Sequence, residues 1–98
     1  MADEQQAQVP PITFLGFVLS LASTAAVHFG DLADPATGQP VEPNLPAAQQ
    51  MIDILALLDQ KTRGNLSAEE RQVLEQVLYE LRMRFVEAQK APSRIVTP

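Results

Sequence analysis

The sequence predicts an all-α fold: a three-helix protomer, with helices over about 14–29, 46–63 and 68–90, forming an oligomeric helical bundle. Three observations predict it. Strand-like alternation is weak everywhere, whereas three segments repeat apolar residues at helical spacing. Each segment is bracketed by residues that start or stop helices. Finally, residues 11–30, PITFLGFVLSLASTAAVHFG, contain no Asp, Glu, Lys or Arg. A surface helix of a small domain carries an apolar stripe and a charged back. A helix here has no charged back and needs cover on nearly every side.

Size and composition bound the rest. The chain has 98 residues, so one domain is expected, over 12–90, between a disordered tail at 1–11 and a frayed tail at 91–98. With no cysteine, disulfides and thiolate metal sites are excluded. Hydrophobic residues make up 46%, too many for a disordered chain. A net charge of −5 argues against nucleic acid as the partner, because phosphate binding needs a basic surface. The start, MADEQQ, is acidic and lacks the positive region of a secretory signal, so a cytoplasmic location is expected.

In chain order, Thr13 suits the cap of the first helix, and Gly30 suits its end. The stretch 31–43 is a proline-rich linker, with a turn expected at Asp34-Pro35-Ala36-Thr37-Gly38. It is long enough to cross the bundle, so the direction of the second helix stays open. That helix is capped by Asn44 or Leu45 and closed by Gly64, with Lys61 and Arg63 at its negative end. The third helix has the strongest start. Ser67-Ala68-Glu69-Glu70 fits a capping box, in which the Ser and Glu side chains satisfy each other's free amides. Pro92 is expected to stop it soon after Lys90.

The helix faces suggest where contacts lie. Leu74, Val77, Leu78, Leu81, Phe85 and Ala88 share one stripe of the third helix, a core face. Tyr79, Met83 and Val86 stand nearly opposite, a second contact face toward another subunit. The second helix presents Ala48, Met51, Ile52, Ile54, Leu55 and Leu58 inward. In the first helix, Ile12, Phe14, Leu15, Val18, Leu19 and Phe29 belong to the core half. Gly16, Phe17, Ser20, Ser23, Thr24 and Val27 form the other half, the expected oligomer seam, with hydroxyls bonded to carbonyls one turn back. Two helices cannot enclose a third. The missing cover is most simply another copy of the chain, in a dimer or higher homo-oligomer, with a different protein as the further option.

Chemistry-bearing patterns are sparse. His28 is the lone histidine and reads as a capping or packing residue. There is no glycine-rich phosphate loop, and the linker acids lack calcium-loop spacing. No catalytic, cofactor or metal residue is assigned, and no cofactor is expected. Arg82 and Arg84 read as surface arginines beside Glu80 and Glu87, with Glu80–Arg84 and Asp59–Arg63 as i,i+4 pairs. The expected role is therefore a non-enzymatic oligomerisation or protein-interaction module. The alternative is a membrane-associated accessory protein anchored by helix 12–29. Against it, a bilayer needs roughly 20 apolar residues, and this segment has Thr, Gly, Ser and His among its residues and no flanking Lys or Arg.

Four strings, TFLGFVLSLASTAAVHFG, DPATGQP, NLPAAQQMIDILALLDQKTRGNLSAEE and LYELRMRFVE, resemble the small bacterial proteins grouped as the domain-of-unknown-function 1844 family. The likeness runs from about Pro11 to Ala88. The pattern at Lys61, Thr62, Gly64, Asn65 and Leu66, joined to Leu78 through Glu87, is the specific part. The resemblance implies a short helical bacterial protein of uncharacterised role and transfers no site residue.

Overall fold

The structure, a computed structural model, describes residues 9–95, with side chains through Lys90. Expected tail residues 1–8 and 96–98 lie outside the described residues. Among the described residues there are three helices and no strand: α1 (Phe14–Phe29), α2 (Leu45–Lys61) and α3 (Ala68–Ile95).

The caps explain the boundaries. Thr13 is extended, and its Oγ1 accepts from Gly16 N at 2.9 Å, satisfying one free amide of the first turn of α1. Gly30 ends α1 with φ +85°, and its N–H bonds back to Val27 O at 2.9 Å. A Cβ there would stand 3.2 Å from Pro43 Cγ, so glycine serves both the backbone angle and the close approach of the linker.

The linker then doubles back. Asp34 forms the expected turn, its Oδ1 accepting from Ala36 N at 2.8 Å and its carbonyl from Gly38 N at 2.7 Å. Asn44 N donates to His28 O at 2.7 Å, which brings the start of α2 beside the end of α1. The linker therefore does not cross the bundle. Asn44 caps α2 through Oδ1, accepting from Ala47 N at 3.1 Å. This helix stops at Lys61, two residues before the expected end at 63. Thr62 is its C-cap, with its hydroxyl donating to Leu58 O at 2.8 Å. Gly64, at φ +80°, follows in the connecting turn.

Both halves of the capping box form: Ser67 N donates to Glu70 Oε1 at 2.8 Å, and Glu70 N donates to Ser67 Oγ at 3.1 Å. α3 runs to Ile95, past the expected end near Lys90 and through Pro92. A proline removes one bond of the ladder, and near a helix end that loss does not force the chain out of the helical path.

Phe29 and Phe85 meet edge to face at 6.4 Å, and Phe85 shares a hollow with Gln49 and Ile52. The end of α1, the start of α2 and the later half of α3 therefore gather at one end, giving an up-down-up order. The core is drawn from all three helices: Val18, Ala25 and Phe29; Ala48, Met51, Ile52 and Leu55; Leu74, Val77, Leu78 and Ala88. Leu55 and Leu74 are fully buried, and each contributes about 1.5–3 kcal/mol by leaving water.

Three residues assigned to the inward faces need correction. Ile12 and Leu19, expected on the core half of α1, are 96% and 52% exposed, and Ile54 of α2 is 39% exposed. The inward line of α1 runs through Val18, Ala25 and Phe29, and at 100° per residue Leu19 lies about a quarter-turn from it, whereas Ile12 precedes the extended Thr13 cap and is not in the helix at all.

Candidate functional site

The outward side of α1 is the feature that the fold leaves unexplained. The helix has no charged residue to face water, yet only one side of it meets α2 and α3. Gly16, Phe17, Ser20, Ser23 and Thr24 are exposed, and Val27 is half-buried. Phe17 alone leaves 46% of its surface open. Two of the three hydroxyls, those of Ser20 and Thr24, turn back to the helix, and Ser23 makes no such bond. Ser20 Oγ donates to Phe17 O at 2.8 Å, and Thr24 Oγ1 donates to Ser20 O at 3.1 Å. With those donors spent on their own helix, the face costs little to dehydrate, although it is not strictly apolar.

Two hollows flank this face. Gly16, Phe17 and Ser20 line one of about 300 Å³ together with Pro10, Pro11 and Ile12. Ser23, Thr24 and Val27 line a larger one of about 450 Å³, closed on its other side by His28, Leu32 and Pro35. All six α1 candidates thus fall on one continuous side that ends in concave ground at both ends. Within the larger hollow, the Thr24 hydroxyl and the Asp34 carboxylate are already engaged by their own chain.

The α3 candidates are also open: Tyr79 at 61%, Met83 at 49% and Val86 at 44%. They lie on the side of α3 away from Leu74 and Leu78. Val86 lines a third hollow, about 320 Å³, between α2 and α3. The two candidate sets therefore occupy different helices and different hollows, and they do not merge into one patch. Leu32, 49% exposed in the linker, is a contributor that the sequence reading missed. An isolated leucine among acids and prolines is the signal that marked it.

Arg84 provides the principal tertiary ion pair. Its Nε donates to Asp31 Oδ2 at 2.7 Å and its Nη2 to Asp31 Oδ1 at 2.6 Å, a bidentate grip on the residue just past the α1 cap. The guanidinium also lies 5.2 Å from the centre of the Phe29 ring. The hydrogen bond from Arg84 holds the Asp31 carboxyl below its ordinary value, partly opposed by burial. The expected Glu80–Arg84 pair is thus replaced: Glu80 accepts from Gln76 instead, at 2.7 Å. The Asp59–Arg63 pair forms at 3.2 Å.

No helix among the described residues is long and apolar enough to cross a membrane. The anchor expected as the alternative therefore has no spanning segment to rest on there: α1 has 16 residues, short of the roughly 20 required.

These features define a small helical protein with an uncharged helix face left open. The family described as Domain of unknown function (DUF1844) matches residues 11–87, and the chain belongs to that family. No curated protein and no solved structure matches it.

Proposed function

We propose that the protein is a non-catalytic oligomerisation and interaction module whose working surface is the outward side of α1. One observation carries this reading. A sixteen-residue helix without a single formal charge is open on one side, and two of its three side-chain hydroxyls, those of Ser20 and Thr24, are already bonded to their own backbone. Such a surface gains from being covered and has little polar chemistry to offer a substrate. The placement of large hydrophobics points the same way. Among the described residues ten are exposed, while the core of eleven residues includes three alanines and so holds eight larger ones. Scattered singly such residues are ordinary; it is the uncharged side of α1, with Phe17 open on it, that favours a neighbour.

The test compares the wild-type chain with Ser20→Arg and with Gln60→Arg, a control on the wet side of α2. Tagged protein from each is used to capture partners from an extract of the native host. The reading expects captured proteins, further copies included, to be lost with Ser20→Arg and kept with Gln60→Arg. Identical capture by all three chains would remove the α1 face as the working surface.

A further inference from the structure

We draw no further inference here: the strongest candidate, the uncharged outward side of α1 with the hollow of about 450 Å³ between its last turns and the start of the linker, carries nothing, because nothing in the structure shows what covers it.

Discussion

Gly30 carries two constraints at once, a backbone angle of φ +85° and the approach of Pro43. Gly30→Ala puts a side chain into the left-handed region at about 1–2 kcal/mol and also presses on the linker. The expected outcome is a lower melting temperature by several degrees, measured by circular dichroism, with helix content at low temperature unchanged. The neighbouring Asp31 gives a pH prediction. Its folded pKa lies below the unfolded value because Arg84 hydrogen-bonds the charged form. Its stabilisation is thus present above the unfolded carboxylate pKa, near 3.9, and is lost as the pH falls through the folded one. The Asp31 and Arg84 side chains are 40% and 33% exposed, so water screens the pair, and Asp31→Asn is expected to cost only about 0.5–1 kcal/mol at neutral pH. That difference should shrink when melting is repeated well below pH 4. A constant difference would mean that Asp31 acts through shape rather than charge. Sequence made the local partners legible, since Thr13, Asp34 and the Ser67–Glu70 pair bond to atoms two or three residues away. It hid the Arg84–Asp31 pair, whose members lie 53 residues apart and meet only once α3 has packed on the end of α1.

Whole helices were readable where contrast exists. On α3, Leu74, Val77 and Leu78 stand out against Glu75, Gln76 and Glu80, so the inward stripe is visible in the order of residues alone. On α1 there is no such contrast. Every side is uncharged, and the sequence could not tell Val18, which is buried, from Leu19, which is half open. The end of α3 was also misread, because Pro92 weighs against a helix without forbidding it. The start of α3 tests how much the box matters to the element. Ser67→Ala removes the acceptor for Glu70 N, and Glu70→Ala removes the acceptor for Ser67 N. Each is expected to destabilise the chain by about 0.5–2 kcal/mol. Because the two bonds belong to one motif, the double variant should cost less than the sum of the singles in denaturant titration. Full additivity would show that the two bonds act independently.

At the scale of the whole molecule, folding and association are linked if the α1 face is covered by a second copy. Association then stabilises the folded chain by mass action, whereas a lone bundle melts at a temperature indifferent to its concentration. For a dimer that unfolds as it separates, each tenfold rise in concentration adds about 1.4 kcal/mol per dimer, half of it per chain. For a domain near 100 residues that corresponds to an increase of roughly 3–6 °C in Tm. Ser20→Arg separates the two effects. Ser20 is exposed within the single chain and its hydroxyl bonds only to its own helix, so arginine there disturbs no internal packing. The variant is expected to keep its helices, to melt at a concentration-independent temperature, and to match the wild type only at the lowest concentrations. Leu55→Ala supplies the contrast. It opens a fully buried site and is expected to cost about 2–5 kcal/mol at every concentration. A wild-type Tm that stays flat across a hundredfold dilution would leave the uncharged side of α1 facing water in the working protein, and the physical case for a sister chain would end there.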